Sequence, residues 1–423
     1  MIGAGAAGLA AARALGDAGL RVVLAEAQER VGGRILTPEP GIELGAEFVH
    51  GRPEATRTLL REYGDRVVER EGGYWQGAGG RFTEAEDRFD GLGALVALAR
   101  QAPEDRSAAE FFRDVAKTPA LAELATWALR LVEGFDAADP ARASVKVLAE
   151  EWSGDAGMES PQGRPERGYG ALVRHLESRL PRQVELRTAW PVRAVEWSRG
   201  RVSVTGPAGA RVEARAAVIT LPLSLLTPSE RGARVDFLPA LVAKRPALER
   251  LHMGAVLKVL LRYESAFWRE LDGGRYADAA FFFRGSGAFP TIWTAWPDRA
   301  PVLTAWYGGP GAEALSSRSD EAIIAAARES VALVFGAERM AGAALARAWV
   351  HNWQRDPWAV GAYSYVGVGG ADARAALAEP LEDTLFFAGE ATDASGEAST
   401  VAGALASGVR ASSQAVRALS SPG

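Results

Sequence analysis

The first residues with a chemistry of their own form the opening turn, Gly3-Ala4-Gly5-Ala6-Ala7-Gly8. Gly3 permits a tight bend, Gly5 lets backbone approach a pyrophosphate, and Gly8 lets the following helix pack close to a strand. The helix start then offers free N–H groups and a partial positive charge to phosphates. Alone the pattern is weak, because an alanine-rich chain has many Gly/Ala helix starts. Glu26 strengthens it. It ends the expected strand Arg21 to Glu26, about 20 residues on, where a carboxylate accepts hydrogen bonds from ribose hydroxyls. The same carboxylate disfavours the ribose phosphate of NADP. FAD is preferred over NAD on the strength of Arg30-Val31-Gly32-Gly33-Arg34-Ile35, where paired glycines bring backbone to the cofactor and Arg34 can neutralise a pyrophosphate. A solvated basic loop is the plainer reading of that segment.

A second chemical signal is Lys258, set inside the apolar run Val256-Leu257-Lys258-Val259-Leu260-Leu261. A buried ammonium there is costly without a role, although an edge-strand or snorkelling lysine would also fit.

Composition narrows the classes of function. The 423 residues, 48% hydrophobic, can fill two cores. A net charge of -5 with no concentrated Lys/Arg run shows no nucleic-acid footprint. The absence of cysteine removes disulfides, thiolate metal sites, cysteine nucleophiles and a thioether-linked flavin, and four scattered histidines make a histidine metal site improbable. No stretch of about 18 residues is free of charges and turn formers, and no leader precedes the first motif, so a soluble, cytoplasmic protein without membrane insertion is expected. No pattern specifies an oligomeric state.

The elements that must position these groups follow from periodicity. Met1 to Ile35 reads as a βαβ-type unit in which only Met1 and Ile2 precede the glycine turn, so its first strand looks truncated. Pro53 to about Leu180 reads as largely helical. Short β runs occupy Val184 to Leu226. Met253 to Tyr307, rich in β-branched and aromatic residues, reads as a sheet flooring a substrate cavity. An amphipathic helix carries Ile323, Ile324, Ala327, Val331 and Val334 behind Ser319 as N-cap. The chain closes with the strand Thr384 to Ala388, Gly389-Glu390 and a last helix from about Thr400.

Gly3 to Gly8, Glu26, Gly32-Gly33-Arg34 and Glu43 to Gly51 together resemble the opening of the flavin-containing amine oxidases, which include monoamine oxidases, polyamine oxidases and flavin histone demethylases. The resemblance continues at Leu221-Pro222-Leu223, Met253-Gly254 through Lys258-Val259, Trp353 to Tyr365, and Phe387 to Thr392. It implies an α/β fold in which a Rossmann-type FAD-binding domain (1–75, 184–240 and 380–423) is interleaved with a mixed α+β substrate-binding domain (76–183 and 241–379).

By that resemblance the non-covalent FAD site comprises Gly3, Gly5, Ala7, Gly8, Glu26, Ala27, Gly33, Arg34, Gly45, Ala46, Glu47, Val192, Gly389, Glu390, Thr400 and Val401. Gly45 and Ala46 would pass beside the isoalloxazine ring and Val192 would face the adenine. Glu390 would bind the ribityl or pyrophosphate region, and Val401 would aim its N–H at the flavin pyrimidine edge. Lys258 would hold a water at flavin N5, and Tyr363 would guide the amine. Thr400 falls where monoamine oxidases carry a second tyrosine, and Ala362 where they carry the cysteine that anchors flavin. His50, closer to the polyamine oxidase pattern, would line the substrate pocket with Tyr363 and Thr400.

Glu133, Asp136 and Asp139, at near-helical spacing, read first as solvated helix charges and second as an acidic channel lining. The activity implied is oxidation of a small-molecule amine by hydride transfer to flavin N5, with an imine hydrolysed to aldehyde or ketone and oxygen reduced to hydrogen peroxide. A related flavin enzyme acting on an amino acid, with Arg52 near enough to meet its carboxylate, or on a porphyrinogen or polyene, is the alternative. A flavin-binding protein without turnover is the alternative from another class.

Overall fold

A computed structural model of the chain describes residues 1–85, 91–154, 156–158, 160–227, 232–285 and 287–420. The half that contains both chain ends is built on a parallel layer. Strand Val184–Arg187 pairs with Val22–Ala25, and Ala217–Ile219 pairs with Leu385–Phe387. Met1 and Ile2 fill the gap between these pairs. Ile2 bridges both Ala25 and Ile219 in parallel sense, Ile2 N–H donates to Val218 O at 3.0 Å, and Gly3 N–H donates to Ala25 O at 2.8 Å. Two residues thus take the central place between the two pairs.

Helices Ala6–Asp17 and Val401–Ser420 cross on this layer. Glycine lets them touch, since a Cβ on Gly408 would lie 2.3 Å from Ala7 O. Leu9, Leu24, Val218, Phe386 and Leu405 share the resulting core.

The other half rests on a seven-stranded sheet ordered Leu345–Asn352, Val256–Tyr263, Val302–Gly308, Thr291–Thr294, Ala279–Phe283, Gly73–Ala78 and Arg81–Glu84. Alternation sorts its side chains. Leu257, Val259, Leu261, Phe282, Ile292, Leu303 and Ala305 pack against Ile323, Val331 and Val334 of helix Asp320–Phe335, whose Ser319 hydroxyl accepts from Ala322 N–H at 3.3 Å. The opposite face, with Val256, Lys258, Phe281, Phe283, Trp293 and Trp306, borders a cavity. Four helices, Leu92–Arg100, Ala108–Val115, Ala122–Gly134 and Val145–Trp152, pack through Phe112, Val132, Leu148 and Trp152.

The stretch expected to be largely helical, 53–180, also contains the strands Val67–Glu69, Gly73–Ala78, Arg81–Glu84 and Gln162–Pro165. Gly79 and Gly80, both at positive φ, turn two of them into a hairpin. Gly73–Ala78 belongs to the seven-stranded sheet, so the boundary read at residue 75 falls inside a strand. Among the described residues no helix is long and apolar enough to cross a membrane.

Candidate functional site

The helix Ala6–Asp17 begins on Gly5 without a side-chain cap, and its first residues Ala6 and Ala7 border a cavity of about 630 Å³. Gly3, Gly5, Ala7, Glu26, Ala27, Gly33, Arg34, Gly45, Ala46, Glu47, Val192, Gly389, Glu390, Thr400 and Val401 all border it. Gly8 is set back. A Cβ there would lie 2.0 Å from Gly3 O, so its role is close packing of turn and helix. A Cβ on Gly5, by contrast, would meet nothing nearer than Gly33 Cα at 3.9 Å.

Glu26 is buried. One carboxylate oxygen accepts from Ala4 N–H at 2.8 Å and the other from Gln28 N–H at 2.9 Å. Burial raises its pKa, against the lowering by those backbone donors. Arg34 Nη1 donates to Glu390 Oε1 at 2.9 Å and to Ala362 O at 2.6 Å. At the start of the last helix, Thr400 Oγ1 accepts from Gly403 N–H at 3.1 Å, and Ser399 before it takes φ 64. That left-handed residue, unusual for a side chain other than glycine, turns the chain so that Val401 reaches the cavity wall.

At the other end of the cavity, Lys258 is 2% exposed on the sheet face that Trp293 and Trp306 share. Its Nζ lies 2.6 Å from Glu47 Oε2 and donates to Gly45 O at 3.1 Å. Glu47 also accepts from Arg164 Nε at 2.6 Å and from Trp293 Nε1 at 3.1 Å. Burial would raise the Glu47 carboxyl, but Lys258, Arg164 and Arg70 outweigh it and hold the pKa down at about 2. Gly45 is wedged in place, because a Cβ there would fall 1.8 Å from Arg34 O.

The remaining wall is aromatic. Tyr363 borders the cavity with its hydroxyl donated to Phe135 O at 2.6 Å, and burial raises its pKa. His50 packs edge-on to Phe135 at 5.5 Å; burial lowers its pKa to about 4, so the ring is neutral at neutral pH. Asp136 faces the cavity too. Trp152 Nε1 donates to its Oδ2 at 2.9 Å, and burial, then the Glu151 charge, raise its pKa well above the ordinary carboxylate range. The reading of Glu133, Asp136 and Asp139 as solvated helix charges therefore does not hold for Asp136.

Residues 6–416 match the family model for flavin-containing amine oxidoreductases. The chain belongs to that family. Human lysine-specific histone demethylase 2 is 27% identical over 98% of this chain and 53% of its own length. This member therefore spans about half of that relative. Probable polyamine oxidase 4 of Arabidopsis thaliana is 28% identical over 99% of the chain and 86% of its own length. A solved structure of a putrescine oxidase variant shares the fold, with a TM-score of 0.81 at 24% identity over 98% of both chains.

Within this family member the sequence reading missed Arg164, Arg70 and Trp152, and it left Asp136 on the surface. Arg164 sits between Gly163 and Pro165 in a short strand and carries no spacing signal; only the paired tertiary structure brings it to Glu47.

Proposed function

We propose that the chain is an FAD-dependent amine oxidase acting on a small-molecule amine with oxygen as electron acceptor. The observation that carries this reading is one continuous cavity bordered both by the glycine turn and by the aromatic wall around Lys258 and Tyr363. A dinucleotide fits its first part by donor chemistry. The open space over Gly5, the uncapped helix start, Arg34 and the Glu26 carboxylate offer what pyrophosphate and ribose require. Ala362 borders the cavity and the chain has no cysteine, which supports non-covalent binding.

When bound, FAD supplies the two-electron chemistry: hydride loss from the amine α-carbon, an imine that hydrolyses to aldehyde or ketone, and reduction of oxygen to hydrogen peroxide. The chain's residues prepare the substrate. Phe281, Trp293, Trp306 and Tyr363 form a wall that excludes water and orients the amine. A neutral His50 adds no charge to repel an incoming ammonium. Asp136, with one oxygen held by Trp152 and its proton affinity raised by burial, is a wall carboxyl able to accept the proton that an ammonium sheds before oxidation.

The test is to load the purified protein with FAD, follow flavin bleaching under anaerobic conditions with primary amines, diamines, polyamines and amino acids, and then measure peroxide in air. Bleaching by an amine is expected. A protein that takes up no FAD, or a flavin that no amine bleaches, would overturn the proposal.

A further inference from the structure

Lys258 is buried between apolar neighbours, Val256-Leu257 before it and Val259-Leu260-Leu261 after it, so its ammonium needs a fixed counter-charge. Glu47 provides it at 2.6 Å. An ammonium has three donors; one meets Glu47, one meets Gly45 O, and the third is left for the cavity that Lys258 borders. The direction of that third N–H depends on where the Glu47 carboxylate is held.

The carboxylate is held tightly. Arg164 Nε donates to Oε1 at 2.6 Å, and Trp293 Nε1 lies 3.1 and 3.2 Å from the two oxygens. Arg164 is itself anchored, through Trp296 O at 2.9 Å and Thr294 O at 3.2 Å, and its guanidinium stacks 4.7 Å from the Phe48 ring centroid. Strands Gln162–Pro165 and Val256–Tyr263, with Glu47 in the loop between Gly45 and Phe48, thus contribute to one chain of contacts, Arg164 to Glu47 to Lys258, that ends at the cavity wall.

We propose that Glu47, clamped by Arg164, is a positioning residue that aims the Lys258 ammonium into the cavity. It acts through Lys258. The inference rests on the reading of the cavity as a flavin and amine site with Lys258 facing the flavin. A plain ion pair that merely satisfies a buried lysine would also stabilise the fold, but its loss would not be read at the flavin through Lys258.

The experiment is a double-mutant cycle on the FAD-loaded protein with Glu47→Gln, Lys258→Met and the pair. Three quantities are read: the dissociation constant for FAD, the visible spectrum of the bound flavin, and the rate of anaerobic bleaching by the amine that bleaches the wild type. Glu47→Gln is expected to shift the flavin spectrum as Lys258→Met does and to slow bleaching by about tenfold or more. In the Lys258→Met background it should then add little to either. Arg164→Lys, which keeps a charge and loses the fork, should move both in the same direction by less.

Additive effects of Glu47→Gln and Lys258→Met, or an unshifted spectrum in Glu47→Gln, overturn the proposal. Should Glu47→Gln fail to fold, Arg164→Lys is measured in both backgrounds and decides by the same rule. A wild type that binds FAD but is bleached by no amine defeats the reading of function instead, and the spectral cycle still decides the role of Glu47.

Discussion

Arg34 Nη1 meets Glu390 Oε1 at 2.9 Å, a contact between residues 356 positions apart that closes the cavity from both ends of the chain. The second Glu390 oxygen accepts from the Ser364 hydroxyl at 2.6 Å, and Arg374 Nη1 donates to that hydroxyl at 2.6 Å. Burial opposes ionisation of Glu390, yet the Arg34 and Arg374 charges prevail and hold its pKa below the usual carboxylate value. The loop that follows strand Val22–Ala25 and the turn that follows strand Leu385–Phe387 are therefore joined by charge, while the first and last helices are joined by packing.

Removing Arg34 leaves Glu390 buried with one fewer counter-charge. Arg34→Ala is expected to lower stability by about 3 kcal/mol, the scale for breaking a buried pair, and to lose bound FAD. Arg34→Lys should recover part of the stability and less of the FAD affinity, because a point charge cannot reproduce the fork. Thermal melts with and without FAD check this; an unchanged midpoint in Arg34→Ala would show that the pair contributes nothing.

The glycines of the opening turn separate folding from binding. A Cβ at Gly8 would lie 2.0 Å from Gly3 O, so Gly8→Ala must displace backbone and should cost about 1–3 kcal/mol. At Gly5 the nearest atom is 3.9 Å away and φ is an ordinary -73, so Gly5→Ala should leave the melting midpoint of the FAD-free protein nearly unchanged. It should nevertheless weaken FAD binding by about tenfold or more, through a methyl placed where backbone approaches the pyrophosphate. Equal FAD affinity in Gly5→Ala and wild type would remove Gly5 from the nucleotide site.

What the sequence made legible was local. The glycine turn, the carboxylate at the end of the next strand, the lysine inside an apolar run and the amphipathic helix behind Ser319 are patterns of spacing, and each lies where that spacing places it. Alternation along Val256–Tyr263 even fixes which face Lys258 shares. What was hidden depends on turns and tertiary pairing. Glu133, Asp136 and Asp139 look like one helix face, but the helix Ala122–Gly134 ends before Asp136 and Ala137 takes φ 53, which swings Asp136 to the cavity. Arg164 stands on a short strand and Arg70 just after another, inside a stretch dominated by helix formers, so nothing in their neighbours marked them.

Glu43 gives a test by pH. It accepts from Thr37 Oγ1 at 2.5 Å and from Tyr169 N–H at 3.0 Å, and burial raises its pKa from 4.5 to about 7. The folded state then binds this proton more tightly than the unfolded chain, so its contribution is full below about pH 4.5 and is lost as pH rises through about 7. Glu43→Gln keeps an acceptor for Tyr169 and cannot ionise. Relative to wild type it should gain stability on going from pH 5 to pH 8, by up to roughly 3 kcal/mol. Urea unfolding at the two pH values measures the difference, and a gap that stays constant between them would rule out Glu43 as the titrating group.

Asp136 gives the test closest to the chemistry. Trp152 holds its Oδ2 at 2.9 Å, and the residue borders the cavity. Burial favours the protonated form of Asp136, so its carboxylate takes a proton from an ammonium more readily than a solvated aspartate would. Asp136→Asn preserves the acceptor for Trp152 but removes the proton acceptor, so amine oxidation near neutral pH should fall by about a hundredfold. The deficit should shrink as pH rises toward the pKa of the free amine, because more substrate then arrives already neutral. The profile of kcat/KM against pH for both proteins carries the decision. A deficit independent of pH would assign Asp136 to shaping the wall, and no deficit at all would remove it from the reaction.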